Sequence, residues 1–171
     1  HLWRLEHRGH NWNLIMTAPV RPFCLYFAKF CVVTKMAILT QLWLLLLFVI
    51  GGKLGAGLAG FPPPEIVLWL LRGVIGGLAI IALQLLLSMV IRNFALPVLI
   101  ALGGSVAGLL AVSEDLGLYW PYSLMILGMN SNRTEDVMAG GIWGFFLSCA
   151  VFLTVFLLIA NVLLTKRDVK A

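Results

Sequence analysis

Four long runs of apolar residues dominate the chain: Val32 to Ile50, Ile66 to Ile91, Phe94 to Val112 and Ile142 to Leu164. None alternates with the period of two that a half-buried strand requires, and each approaches or exceeds the roughly 20 residues with which a helix crosses hydrocarbon. A helix satisfies its backbone polar groups without water, so the pattern predicts an all-α fold, a polytopic transmembrane helix bundle with four spans in this chain. The second run is long for one crossing. Pro62, Pro63 and Pro64 set its start beside Glu65, where it is expected to tilt or protrude, with Arg72 near the outer interface. The breaks divide the chain into a polar-apolar lead-in, 1–31, and a membrane domain, 32–171, whose third and fourth spans are joined by a connection over 113–141.

Composition narrows the solvent. Of 171 residues 61% are hydrophobic and 11% charged, with a mean hydropathy of +1.02. Soluble domains carry about 25% charged residues, and seven acids with twelve Lys and Arg could not cover a water-facing surface of this size. Cys24, Cys31 and Cys149 match no metal or redox spacing and read as small apolar residues. The first residue is His1 rather than Met, which suggests a piece of a longer chain, and no leader pattern precedes the first apolar run.

Charge then gives an orientation. Arg4, Arg8, Arg21, Lys29, Lys35, Arg92, Lys166, Arg167 and Lys170 fall on one side of the four spans, and Lys53, Arg72 and Arg133 on the other. Cations are retained on the cytoplasmic side, so both ends of the chain are expected there, in a multi-pass membrane protein. Trp69, Tyr119, Trp120, Tyr122 and Trp143 fall independently at the outer headgroup level. The net charge of +5 is spread over span flanks with no basic stripe, which points to anionic lipid and not to nucleic acid.

The motifs that suggest chemistry are weak. Gly51-Gly52-Lys53 resembles a phosphate loop, but Leu47 stands where its first glycine belongs and Leu54 where Ser or Thr should hold magnesium. The pairs Gly73/Gly77, Gly104/Gly108 and Gly140/Gly144 have the spacing that lets helices approach closely in lipid. His1, His7 and His10 lack the further ligands a metal needs. Gln41, Gln84, Ser88, Thr154 and Asn161 lie in the spans with no titratable base beside a nucleophile, and are expected to hydrogen-bond between helices. No buried charge is expected, which argues against a proton-coupled pump.

The lead-in mixes Trp3, Leu5, Trp12, Leu14 and Ile15 with Arg4, Glu6, His7, Arg8 and Asn11, as a short interfacial helix would, until Pro19 and Pro22 break it. Its strings Glu6-His7-Arg8, Asn11-Trp12, Pro19-Val20-Arg21, Tyr26 and Ala28-Lys29 resemble the cytoplasmic segment of ABC transporter permeases of the second exporter type. Arg92 to Ala95 and Tyr119 to Tyr122 are similar to the lantibiotic and bacitracin immunity permeases of that family. The chain departs from the pattern at Pro22 and in lacking the family's first two spans.

The resemblance implies the last four of six spans of a permease of the bacterial inner membrane that moves a lipid-like or peptide antibiotic substrate. Glu6, His7, Arg8, Asn11 and Trp12 would form the coupling contact to a separate ABC ATPase, which would bind ATP and Mg; this chain would hold no cofactor and be no enzyme. A second permease copy or paralogue would complete a dimer. It further implies short outer helices between the third and fourth spans. Independently, a connection of about 29 residues carrying Leu124, Met125, Ile126 and Leu127 suits a re-entrant segment. Two other readings stand beside it: a membrane anchor or assembly protein for a partner complex, and an intramembrane enzyme using Ser88 or the His cluster.

Overall fold

The computed structural model of the chain describes residues 22–166 apart from 58, 92, 94, 132, 134, 137, 139 and 140. It contains helices α1 (Pro22–Ile50), α2 (Glu65–Val90), α3 (Ala95–Ser113), a short α4 (Leu124–Gly128) and α5 (Ile142–Lys166), with no strand among the described residues. Helices α1, α2, α3 and α5 are each long and apolar enough to cross a membrane. The fold is the all-α, four-span bundle that the hydropathy pattern predicts.

Helix α1 begins at Pro22, well before the apolar run that announces it. Proline suits a first helical position, where its missing N–H would have no partner. Lys29 and Lys35 interrupt the hydropathy without interrupting the helix, because lysine has good helix propensity and can extend its ammonium along an apolar stem. Residues of the lead-in from Pro22 onward are therefore continuous with the first span. At its far end α1 passes into a π-helical turn, Gly51–Gly55, closed by the Ala56 N–H donating to the Gly51 carbonyl at 3.1 Å. Pro62 to Pro64 then start α2, with the Ile66 and Val67 N–H groups donating to the Pro63 and Pro64 carbonyls.

Two clusters hold the bundle together. The first joins Tyr26 and Phe30 of α1, Ala82, Leu85, Leu86 and Met89 of α2, and Ala160 and Leu164 of α5. Its one hydroxyl, on Tyr26, is fully buried and donates to the Ala82 carbonyl at 2.7 Å, which removes the penalty of an unpaired phenol. The second joins Ala79, Phe145 and Cys149 of α2 and α5 to Leu124 of α4 and Met138. Helix α3 is different: it buries only Pro97, Gly104 and Gly108. Its main neighbours belong to the connection over 114–141 and not to another span.

That connection is ordered by local chemistry. Asp115 (φ 58°) ends α3 and Asn130 (φ 49°) ends α4 in the left-handed region. Both sites carry the same cap, with the Leu116 N–H donating to the Ala111 carbonyl and the Ser131 N–H to the Ile126 carbonyl. Asp and Asn are the non-glycine residues that tolerate this geometry best. The Ser123 hydroxyl donates to the Gly117 and Trp120 carbonyls, tying the 3-10 turn Gly117–Tyr119 to the start of α4.

Candidate functional site

The connection folds back between α2, α3 and α5 and does not stand over their ends. Along α2 its contacts run from Arg72 through Gly73 and Gly76 to Gln84, about 18 Å of helix axis. A Cβ at Gly76 would lie 2.5 Å from the Leu124 carbonyl oxygen, and one at Gly73 would overlap the Met129 side chain. From the other side, a Cβ at Gly128 would lie 2.6 Å from the Arg72 carbonyl oxygen. On α3 the same wedge meets Gly104, where a Cβ would lie 2.5 Å from the Tyr122 ring, and Gly108, 3.1 Å from the Ser123 nitrogen. The Trp120 indole N–H donates to the Gly104 carbonyl at 2.9 Å. On α5 the Ser148 hydroxyl donates to the Leu118 carbonyl.

These glycines thus open surfaces that the connection fills, where the sequence suggested contact between spans. Gly77 is nearly idle, with only the Met125 sulfur 3.9 Å from an added Cβ, and Gly144 meets Leu118 at an ordinary 3.6 Å. Gly140 lies outside the described residues. The tight positions on α2 are Gly73 and Gly76, three residues apart and so on one face as surely as the four-residue pair. Three glycines within five residues were the available signal for it.

The span amides follow the same logic. The Gln84 amide donates to the Tyr122 hydroxyl at 2.7 Å, and the Gln41 amide reaches the Met129 sulfur at 3.5 Å. Both partners lie in the connection, so the expected bonds from span to span run instead to the wedge. Ser88 donates to the Leu85 carbonyl of its own helix. Of the aromatic residues expected at the outer interface, Tyr119 and Trp143 are largely exposed, Trp120 is partly so and Trp69 is half-buried. Tyr122 departs from that expectation: it is 6% exposed, a plug against Gly104.

A buried charge is present after all. Arg72 is 7% exposed, and its guanidinium donates to both oxygens of Asp136 at 3.0 and 2.7 Å. The arginine is not a free interface anchor but the fixing point of the connection. Its partner lies 64 residues away in sequence, which hydropathy cannot reveal. Desolvation pushes the Asp136 carboxyl up, but the hydrogen bonds from Arg72 and the Met138 N–H, with the Arg72 charge, outweigh it and hold the pKa below the ordinary 3.8. The Trp69 indole adds a smaller pull in the same direction without closing a full hydrogen bond. Chemically the arrangement is a wedge, hydrogen-bonded through Tyr122 and Gln84 at its tip and ion-paired through Arg72 and Asp136 at its rim, that packs against α2, α3 and α5.

Glu6, His7, Arg8, Asn11 and Trp12, expected to make the coupling contact, lie outside the described residues. They fall within the stretch that has a relative: residues 1–108 match the model of a family described as ABC-2 family transporter protein. No curated protein and no solved structure matches the chain.

Proposed function

The chain belongs to the ABC-2 family of transporters, and from that premise we propose that it is the membrane-spanning subunit of an ABC exporter, driven by a separately encoded ATPase. The carrying observation is the family match over residues 1–108, which takes in the lead-in and the first two long apolar helices. A multi-pass membrane protein of this kind hydrolyses nothing itself. ATP and Mg belong to the partner, and a second permease chain completes the path.

Coupling requires a segment that makes different contacts with the ATPase in its two states, since only differential affinity can shift an equilibrium. Glu6, His7, Arg8, Asn11 and Trp12 are our assignment for that segment. An amphipathic stretch ahead of the first span is placed to touch a cytoplasmic partner, and Trp12 offers the large apolar contact typical of an interface anchor. The cargo we propose is lipid-like or a peptide antibiotic. Support comes from the likeness of the Arg92 to Ala95 and Tyr119 to Tyr122 strings to the lantibiotic and bacitracin immunity permeases, and from the high apolar content of the four long helices.

The test is co-reconstitution with the ATPase of the neighbouring reading frame. Trp12→Ala is expected to leave insertion unchanged and to reduce stimulated ATPase activity and export about tenfold or more, the loss of one interface anchor. Unchanged stimulation in that variant would overturn the coupling assignment. A wild-type chain that binds a partner complex but never stimulates an ATPase would favour an anchor or assembly role.

A further inference from the structure

The far end of α1 holds a feature that the transport reading does not use. A cavity of about 600 Å³ opens where the π-helical turn meets the run into α2, walled by Leu47, Phe48, Val49, Phe61 and Pro62. That volume is within the range of small-molecule sites. One charged side chain lines it: Lys53, whose ammonium lies 3.4 Å from the centre of the Phe61 ring. Lys53 has no carboxylate partner among the described residues. It is a cation held on an aromatic face, half-buried and facing an apolar hollow.

Gly51, Gly55 and Gly60 have no packing role. An added Cβ at Gly51, Gly55 or Gly60 would meet no atom within 4 Å, in contrast to Gly73, Gly76 and Gly104. Gly51, Gly52 and Gly60 instead line the cavity and present bare backbone to it. The hollow is also continuous with the uncovered flank of α1, where Leu46, Leu47, Phe48 and Ile50 are exposed. An occupant would therefore have an apolar body that enters from hydrocarbon and a negative head that meets Lys53.

We propose that this cavity binds an anionic phospholipid, its headgroup phosphate on Lys53 and an acyl chain among Leu47, Phe48 and Phe61. The phosphate completes the coordination that the Phe61 ring supplies on one side of the ammonium, and cation–aromatic contact leaves the other N–H donors free to bind it. A soluble amphiphile with a phosphate group has the same chemistry. A lipid is favoured because the cavity shares Leu47 and Phe48 with the exposed apolar flank of a helix long enough to span a membrane. The proposal needs α1 to cross the membrane and does not depend on the cargo or the ATPase.

Native mass spectrometry of the purified, detergent-solubilised chain, offered phosphatidylglycerol and phosphatidylcholine of matched acyl length, tests this directly. The wild type is expected to prefer phosphatidylglycerol about fivefold more strongly than Lys53→Gln, the factor one lysine contributes at an anionic headgroup. Lys53→Arg is expected to keep the preference. Lipids held by the other cationic flanks are common to all three proteins and cancel. Equal preference in wild type and Lys53→Gln would overturn the proposal. So would displacement of phosphatidylglycerol from wild type by stoichiometric dodecyl phosphate, which would point to a free amphiphile. Labelling of single cysteines at positions 24 and 57 from opposite faces of the membrane with an impermeant maleimide checks the crossing of α1 separately, so failure of the site and failure of the span are distinguishable.

Discussion

At Gly76 one added methyl group would meet the backbone of Leu124 and Met125, whose atoms cannot rotate away. Gly76→Ala is therefore expected to lower stability by about 1–3 kcal/mol, the usual cost of overpacking. Gly77→Ala meets no such obstacle and gains helix propensity, so it is expected to be neutral or slightly stabilising. Thermal unfolding of both variants in detergent, followed by circular dichroism, separates packing against the wedge from packing through the four-residue glycine pair. The reverse order would mean that Gly73/Gly77 is the working face. A second residue-scale test uses charge. Asp136→Asn leaves Arg72 buried beside a neutral acceptor and is expected to cost about 3 kcal/mol, the lower end for buried pairs because the carboxylate is a quarter exposed. The folded Asp136 pKa lies below 3.8. Its contribution is thus complete above that value and is lost as the pH falls through the depressed one. The stability gap between wild type and Asp136→Asn should stay constant above about pH 5 and close below 3.8. A gap that closes near neutrality would exclude this pair as its source.

At the scale of elements, the wedge explains why α3 can be a span with so little of its surface buried. Tyr122 fills the space beside Gly104 and is held by Gln84 from α2, so two spans that barely touch are bridged through one side chain. Tyr122→Phe keeps the ring and removes the acceptor, and is expected to cost about 1 kcal/mol. A double-mutant cycle with Gln84→Ala should recover most of that as coupling energy, whereas additivity would show that the bond is not made. The long helices were legible in the sequence because hydropathy integrates over about 20 residues and tolerates local exceptions. The start of α1 was not, because Lys29 and Lys35 lower the local average while leaving the helix intact. The fold-back of the connection was legible only as excess length and stray leucines. Its seating depends on Arg72 finding Asp136 and Gly76 finding Leu124, pairings between segments that carry no mutual signal in one sequence. The caps at Asp115 and Asn130 were hidden as well, since neither is the glycine that usually marks a left-handed helix end.

At the scale of the whole molecule, the four crossings of α1, α2, α3 and α5 determine which turns share a side. The turn around Gly57 and the connection around Glu135 must lie on one face, and the α2–α3 turn around Asn93 on the other. Lysines and arginines favour the cytoplasm for the Asn93 face. The wedge makes this demand sharper, because Arg72 and Asp136 can pair only if the loop after α3 returns to the same end of α2 that the Gly57 turn enters. In a variant with Cys24, Cys31 and Cys149 replaced, single cysteines at Gly57, Asn93 and Glu135 can be tested in intact cells with a membrane-impermeant maleimide. Cysteines at 57 and 135 are expected to label from outside, and the one at 93 only after permeabilisation. If 93 and 135 labelled together, α3 would not cross, and the buried ion pair could not form in the membrane. If all three kept their grouping but reversed sides, the bundle would stand and only the assignment of its cytoplasmic face would fall. The ATPase contact proposed for the lead-in would then be on the wrong side of the membrane, so this experiment also bears on that proposal.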